Sequence, residues 1–464
     1  MTDAEISAEL PPEDSVEEHG LDSRKVGRIL AAVAMQDEAR LSEQLDQLHP
    51  ADIADLLEQV SDQDRQQLLG LASPAIDGDV LSELNEGLRE SVIETLAPDA
   101  LATAVRDLET DDVVDLVEDL EGEQQDAILE ALEPVDRVAV EMALSYPEGS
   151  AGRLMQREFV MAPEHWTVGE AIDHLRNADD LPDQFYHVML VDPALRPVAY
   201  VTLGRVLSAR RSTPLQDLSE DTFRTIPLDE PEGNVAYAFN QYHLISAPVV
   251  DDGGRLVGVI TIDDAMIVLD EEAEEDILRL AGISEESSVA DGAWDTVRSR
   301  LPWLFINLLT AILASMVISI FDEALAQVVA LAVLMPIVAS MGGNAGTQSL
   351  TVAVRALATK DLTGSNMLRV IRREAMVGLA NGVFFAVVMG IVGVVWFGNP
   401  VIGAVIAVAM VVNLVVACLA GIMVPVVLER FGYDPALASG TFVTTVTDVV
   451  GFFAFLGLAS WTLL

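Results

Sequence analysis

Five long apolar stretches fill the last third of the chain, and they constrain its fold more than any other feature. They lie at about 301–321, 326–351, 374–396, 401–427 and 437–463. Each has the length that a helix needs to cross a hydrocarbon core of about 30 Å. The sequence therefore predicts a transmembrane domain of five helices over residues 304–464.

Charge is divided unevenly between the two parts of the chain. Of 74 acidic and 26 basic residues, only seven acidic and six basic ones follow Arg300. A front part this negative repels phosphate groups, which argues against nucleic acid as a partner. It favours cations, although solubility or adaptation to salt explains the excess charge equally well. Residues 1–27 are acidic and lack an apolar segment, so they are predicted to be a disordered tail rather than a signal peptide.

Basic residues in the loops predict the orientation of the chain. They cluster in the loop 352–373, in the loop after the fourth span and just before the first span. The two other loops contain no Lys or Arg. The positive-inside rule then places the N-terminal part in the cytoplasm and the C-terminus outside the inner (cell) membrane. An odd number of spans requires the two termini to lie on opposite sides of the membrane, which agrees with this orientation.

An acidic residue, Asp448, lies near the middle of the fifth span. A carboxylate at that depth costs at least about 2.5–3.5 kcal/mol on insertion scales, so something must compensate for it. Thr444 and Thr445 lie on the same helical face, which makes a polar stripe. The stripe predicts a polar path through the membrane. The alternative is that Asp448 bonds to threonine hydroxyls and holds helices together.

The second span contains the segment PIVASMGGNAGTQSL, residues 336–350. Its proline and glycines predict a kinked or locally unwound helix whose carbonyls, at Gly343 for example, face a water-filled path beside the Asn344 amide. The alternative is close helix packing through small residues. The region 301–464 has no His, and its one cysteine, Cys418, cannot form an intramolecular disulfide. Oxygen ligands of this kind suit Mg²⁺ or Ca²⁺.

These two segments resemble the MgtE family of magnesium transporters. The segment in the second span carries a Gly-Gly-Asn-x-Gly-x-Gln signature, and the segment TTVTDVVGFF in the fifth span contains Asp448. The resemblance implies a homodimer that imports Mg²⁺ down its electrochemical gradient. It implies that Asp448 is the principal pore carboxylate, and that Asn344 and nearby backbone of the second span, at Gly343, contribute to the same pore. Thr444 and Thr445 of the polar stripe are further candidate metal ligands. Where some members of the family carry an Asn on the fifth helix, this chain has Gly440.

Residues 151–212 and 213–280 repeat one pattern, a helix followed by strands and then an acidic helix start. In the second copy, PVVDDGGRLVGVITIDD places two β-rich runs around a Gly-Gly turn. The two copies resemble a tandem pair of CBS domains, which are regulatory modules. Thr261 and Asp263 match positions that bind adenosine nucleotide in some CBS domains, so ATP is a candidate cofactor there.

Residues 28–150 repeat short helices with Leu, Ile and Val at helical spacing, which predicts an α-superhelix of stacked hairpins. Residues 281–303 are predicted to be a connecting helix. The resemblance implies that this helix plugs the cytoplasmic mouth, held closed when cytosolic Mg²⁺ bridges acidic surfaces. Candidate carboxylates for that Mg²⁺ are Asp112, Asp115, Glu272 and Glu275. The alternative is that these acidic runs are solvated helix faces.

The prediction is a multidomain membrane protein with an α-superhelical N-terminal domain, tandem α/β CBS domains, a connecting plug helix and a five-helix α transmembrane domain. Two other functions stay open. One is a proton-coupled secondary transporter with Asp448 as the protonation site, although such proteins usually show an internal repeat of spans. The other is a membrane-anchored nucleotide sensor built on the CBS pair. An enzyme is not expected, because no nucleophile–base constellation is found.

Overall fold

The structure is a computed structural model that describes residues 21, 23–72, 76–96, 98–106, 108–118, 120, 122–178, 181–182, 184–220, 222–283, 293–436 and 439–463. Its contacts divide the chain into two compact units, Met1–Val268 and Leu269–Leu464. Most of the predicted acidic tail lies outside the described residues. So do residues 284–292 of the predicted connecting helix.

Short amphipathic helices fold the N-terminal part around an aliphatic core. They are α1 Ser23–Ala34, α2 Glu38–Leu45, α3 Pro50–Gln59, α4 Asp62–Ala72, α5 Gly78–Ser82, α6 Glu86–Thr95, α7 Pro98–Ala104, α8 Thr110–Glu118, α9 Glu123–Ala131 and α10 Pro134–Ala143. Leu56, Leu57 and Leu116 are fully buried in this core. Residues 23–27 are the start of helix α1, and Val26 packs against the core. The prediction that these residues belong to a disordered tail is therefore wrong.

Two small three-stranded sheets follow, each with helices alongside. The elements are α11 Ala151–Leu154, β1 Val160–Pro163, α12 Val168–Asn177, β2 His187–Val191, β3 Pro197–Thr202, α13 Leu203–Ser208, β4 Ile226–Pro227, α14 Glu232–Tyr242, β5 Ser246–Val250, β6 Leu256–Thr261 and α15 Ile262–Ala281. In both sheets the first strand runs parallel to the second and the second antiparallel to the third. This shared topology confirms the predicted tandem repeat.

The two sheets are joined through equivalent positions. His187 begins β2, Ser246 begins β5, and the His187 Nδ1 and Ser246 Oγ atoms are 2.6 Å apart. The ring of Tyr200 packs edge-on against His187, with 4.4 Å between centroids. Burial lowers the pKa of His187 to about 4, so the imidazole is neutral at physiological pH. The neutral ring serves as a hydrogen-bonded element of the core.

Among the described residues, five helices are long and apolar enough to cross a membrane. They are α16 Ala293–Ser319, α18 Val329–Ala358, α19 Met367–Phe397, α20 Pro400–Arg430 and α21 Ser439–Leu463, with a short helix α17 Asp322–Gln327 after the first. This confirms the predicted five-helix class. Residues 293–303 of the predicted connecting helix are continuous with the first span. The fourth span, α20, is the most buried of the five.

The glycine-rich segment of α18 is helical throughout, so the prediction of local unwinding there is wrong. A Cβ on Gly346 would lie 2.6 Å from Val443 Cγ1 in α21, and a Cβ on Gly421 in α20 would lie 2.5 Å from the Gly346 carbonyl oxygen. The glycines therefore let neighbouring helices approach α18 closely, as the packing alternative predicted. The segment remains helical and still brings α20 and α21 close.

Candidate functional site

The helices α18 and α21 contact each other at residues that the sequence analysis predicted to form the site. A Cβ on Gly343 would lie 3.8 Å from the Thr444 methyl group, an ordinary contact distance. One turn further along, Gly346 faces Val443 and Thr447. Two predicted site residues, Gly343 and Thr444, are thus brought together, whereas the Asn344 side chain is exposed on the surface of α18.

The threonines of α21 direct their hydroxyl protons to the backbone of their own helix. Thr444 donates to the carbonyls of Gly440 and Thr441 at 3.0 Å, and Thr445 donates to Thr441 at 2.6 Å. Thr447 donates to Thr444 at 2.9 Å. A hydroxyl has a single proton and two lone pairs. Because the proton of each of these hydroxyls is already donated, its oxygen can accept further hydrogen bonds but cannot donate one.

The carboxylate of Asp448 follows this stripe and is half-buried. Among the described residues, no hydrogen bond or ion pair reaches it, and the neighbouring threonine hydroxyls donate elsewhere. The alternative in which threonine hydroxyls bond to Asp448 therefore finds no support in the structure. A carboxylate at membrane depth without protein partners must be stabilised by water, by a proton or by a cation.

A second membrane acid, Glu374 in α19, has a different environment. It is 8% exposed, accepts a hydrogen bond from Ser349 of α18 at 3.1 Å and contacts Arg373 at 3.3 Å. Its partners are supplied by the protein. The sequence already separates the two acids, because Glu374 begins the predicted third span directly after Arg373, whereas Asp448 lies near the middle of the fifth.

A cluster of carboxylates forms where α8 meets the start of α15, inside the first unit. Burial and the carboxylate of Asp264 raise the pKa of Asp112 to about 7. Burial and Glu158 raise the pKa of Glu109 to about 7. Asp111 is buried, which raises its pKa well above the usual range, and it bonds to Asp264, whose pKa burial raises to about 6. The ionised cluster is therefore unfavourable without a compensating positive charge.

Other predicted regulatory carboxylates are paired with arginines. Asp115 bonds to Arg89 at 2.7 Å, and Glu275 bonds to Arg279 at 2.9 Å. Among the described residues, no three or more His, Cys, Asp or Glu side chains are grouped so that they could hold a metal ion. The assignment of these residues to metal binding stays a prediction.

The end of α15 and the loop before α21 form another acidic patch within the second unit. Burial, then Asp434 and Glu272, raise the pKa of Asp276 to about 6. Arg279 bridges the patch, because it donates to Asp434 and also pairs with Glu275. Sequence reasoning found the acidic run that contains Glu272, Glu275 and Asp276 but missed Asp434, since its proximity arises only from the fold.

The two predicted nucleotide residues lie at the junction of β6 and α15. The Thr261 hydroxyl donates to Asp264 at 2.6 Å at the start of α15, while Asp263 is exposed. A nucleotide would therefore meet a free carboxylate and a hydroxyl whose proton is already used. ATP binding at these residues stays a prediction.

Comparisons with known proteins agree with this architecture. Residues 335–458 match a family of divalent cation transporters, residues 48–149 match the MgtE intracellular N domain, and residues 215–271 match the CBS domain. These matches define the class, a divalent cation transporter with an intracellular N domain and a CBS domain. The relatives are transporters, which confirms the prediction that the chain is not an enzyme.

The magnesium transporter MgtE of Enterococcus faecalis is 37% identical over 416 residues, 89% of this chain and 91% of that protein. The magnesium transporter MgtE of Bacillus subtilis is 31% identical over 322 residues, 69% of this chain and 71% of that protein. A crystal structure of the cytosolic domain of the Mg²⁺ channel MgtE with ATP is 28% identical, covers 52% of this chain and 99% of that chain, and has a TM-score of 0.48. The chain belongs to the MgtE family.

Proposed function

We propose that this chain imports Mg²⁺ passively through a path lined by α18 and α21, with Asp448 as its principal carboxylate. The observation that carries the proposal is the half-buried Asp448, which has no polar partner among the described residues and follows a stripe of acceptor oxygens. Family membership and two magnesium transporters among the relatives support Mg²⁺ as the ion.

The threonine stripe suits an ion that keeps its water. Mg²⁺ loses its water ligands reluctantly and usually binds one or two carboxylates while retaining several of them. Bound waters donate hydrogen bonds, and the oxygens of Thr444 and Thr445 have only acceptor capacity left. A hydrated Mg²⁺ would therefore interact with Asp448 by charge and with the threonines through its waters.

Transport of this kind needs no source of chemical energy. Two charges moving inward through roughly 100 mV release about 4.6 kcal/mol. We place the N-terminus in the cytoplasm and the C-terminus outside the cell membrane, because basic residues flank the predicted inner ends of the spans. We further propose a homodimer, in which the exposed face of α18 with Asn344 would meet a second copy.

The experiment is Mg²⁺ flux into liposomes that contain the full chain or Asp448→Ala. Loss of a carboxylate interaction worth about 3 kcal/mol predicts that flux falls by about a hundredfold. Asp322→Asn is the matched control, because Asp322 is an exposed carboxylate of the same unit outside the spans. Undiminished flux in Asp448→Ala would overturn the proposal, and flux that follows the proton gradient would favour the proton-coupled alternative.

Regulation is proposed to act through the acidic clusters. Cytosolic Mg²⁺ would neutralise Asp112 and its neighbours at α8, and Glu272 and Asp276 at the end of α15, with Asp115 and Glu275 as further candidates. The raised pKa values at α8 support this, because ionised carboxylates there repel one another. A cation that binds the packed form better than the open form shifts the population towards the packed form.

The sign of the pH dependence tests this regulation. Carboxylates whose pKa is raised in the folded state stabilise the packing below their ordinary pKa of about 4, and this stabilisation is lost as the pH rises through about 7. Hydrogen–deuterium exchange of α8, corrected for intrinsic rates, should show protection at about pH 5, loss at about pH 8 and recovery with Mg²⁺.

Asp112→Asn should remove part of the repulsion and keep α8 protected at the higher pH without Mg²⁺. Asp55→Asn, an exposed carboxylate of α3, is the control and should leave the Mg²⁺ effect unchanged. Equal protection of the wild type at both pH values without Mg²⁺ would contradict the proposal.

A further inference from the structure

A buried amide lies in the middle of α20, the most buried span. Asn413 is 0% exposed and is surrounded by apolar residues of its own helix. The amide is remote in sequence from both motifs of the proposed ion path. Polar side chains inside membrane helices are costly and commonly mark functional positions.

The amide of Asn413 contacts α18 directly. Its Nδ2 donates a hydrogen bond of 2.7 Å to the carbonyl oxygen of Val338. A Cβ on Gly342, one turn further along α18, would lie only 2.3 Å from the same Nδ2. The helix therefore comes as close to the amide as a glycine allows.

The same amide also contacts α21. A Cβ on Gly451 would lie 2.9 Å from Asn413 Oδ1 and 3.0 Å from Nδ2. Gly451 is three residues after Asp448, about one helical turn, and Gly342 is the neighbour of Gly343. One side chain of α20 thus fixes the two helices that carry the proposed ion ligands, at positions adjacent to those ligands.

Stability alone does not explain an asparagine at this position. The Oδ1 atom is buried and finds no hydrogen-bond partner among the described residues. An unsatisfied buried acceptor is destabilising, whereas a leucine of similar shape fills the same space without that penalty. The amide is therefore retained although it destabilises the fold. In return it provides a hydrogen bond to α18 and fits between two glycines.

We propose that Asn413 is a positioning residue that sets the spacing of α18 and α21 at the ion path. The inference rests on the proposed function, because it takes the path between these helices as the route of Mg²⁺. Asn413 acts through the two helices and does not touch the ion. Its replacement should alter flux and the preference among divalent cations, while the fold is retained.

The first test compares Asn413→Leu with the wild type as full chains in liposomes. We expect a melting temperature in detergent at or above that of the wild type, because the unsatisfied oxygen is removed. Mg²⁺ flux should fall about tenfold, as expected for the loss of one hydrogen bond, and the ratio of Mg²⁺ to Ca²⁺ flux should change. Unchanged flux and an unchanged ratio would overturn the proposal.

A second test uses the close approach of Gly342. Gly342→Ala should reduce flux because its Cβ collides with the amide, and Gly342→Ala combined with Asn413→Ala should lower flux no further than Asn413→Ala alone. The matched control is Gly378→Ala in α19, whose Cβ would lie 2.9 Å from the carbonyl of Leu414, the next residue of α20. The losses from Gly378→Ala and Asn413→Ala should add, and the same non-additivity in both pairs would contradict a specific role for the amide.

A third measurement does not depend on transport. In a Cys418→Ala background, Gly343→Cys and Thr444→Cys can be joined by oxidation or by a short bifunctional thiol reagent, because the Gly343 Cβ position lies 3.8 Å from the Thr444 methyl. Cross-linking in vesicles should slow when Asn413→Leu is added. If the wild type carries no Mg²⁺, the proposed function fails, and the cross-linking rate still decides whether Asn413 positions the helices.

Discussion

The helix pairs α19–α20 and α18–α21 both depend on glycine but use it differently. In the first pair, backbone meets backbone: a Cβ on Gly382 would lie 3.0 Å from Val411 Cα, and one on Gly403 would lie 2.6 Å from the Gly390 carbonyl oxygen. In the second pair, Gly346 also packs tightly, against Val443, but Gly343 one turn earlier has space for a Cβ. A tight apolar pair can support the fold, whereas a polar pair with space at Gly343 can hold a site. The variants below test this division of roles.

Gly403→Ala should have the largest effect on stability. Its Cβ would meet backbone atoms that cannot rotate away, and overpacking of this kind costs about 1–3 kcal/mol. Reversible unfolding of the full chain in lipid or detergent measures the loss. Gly364→Ala is the control, because no atom lies within 4 Å of its Cβ position. A fully stable Gly403→Ala would show that the pair is less rigid than its distances indicate.

Glu374→Leu should have an intermediate effect. The change leaves the buried Ser349 hydroxyl without its acceptor, and hydrogen bonds between membrane helices contribute about 0.6–1.7 kcal/mol. Removing Ser349 as well, with Ser349→Ala, should cost little more than removing Glu374 alone. Flux per folded molecule should stay near the wild-type value. A large loss of flux at full stability would show that Glu374 belongs to the transport path.

Gly343→Ala should have the smallest effect on stability. The added methyl has ordinary contact distance to Thr444, and alanine favours a helix by up to about 1 kcal/mol over glycine. Stability should therefore be equal or higher, while Mg²⁺ flux falls because the methyl enters the proposed path. A combination of lower stability and normal flux would reverse the roles of the two pairs.

Much of the architecture could be predicted from the chain alone. Apolar length predicted the five spans, and the repeated strand pattern predicted the tandem sheets. Asp448 stood out because a carboxylate is rare at membrane depth. These features are local, since each depends on residues that are close together in the sequence.

What could not be predicted depends on contacts between distant segments. The glycines of α18 predicted unwinding, yet they serve close packing against α20 and α21. Asp264 resembled an ordinary helix cap until the fold placed it beside Asp111 and Asp112. Asn413 belongs to no motif, and its only signal was a single amide in the middle of an apolar span.

The first span, α16, gives the chain a natural sensitivity to the thickness of its membrane. It is the least buried of the five spans, and its apolar part, residues 301–319, extends about 30 Å, which matches a hydrocarbon core of about 30 Å. Trp294, Arg298 and Arg300 are exposed near its start, where side chains of these types settle at the lipid headgroups. Because mismatch is relieved by tilting, a thinner bilayer should tilt α16 before it disturbs the tightly packed pair.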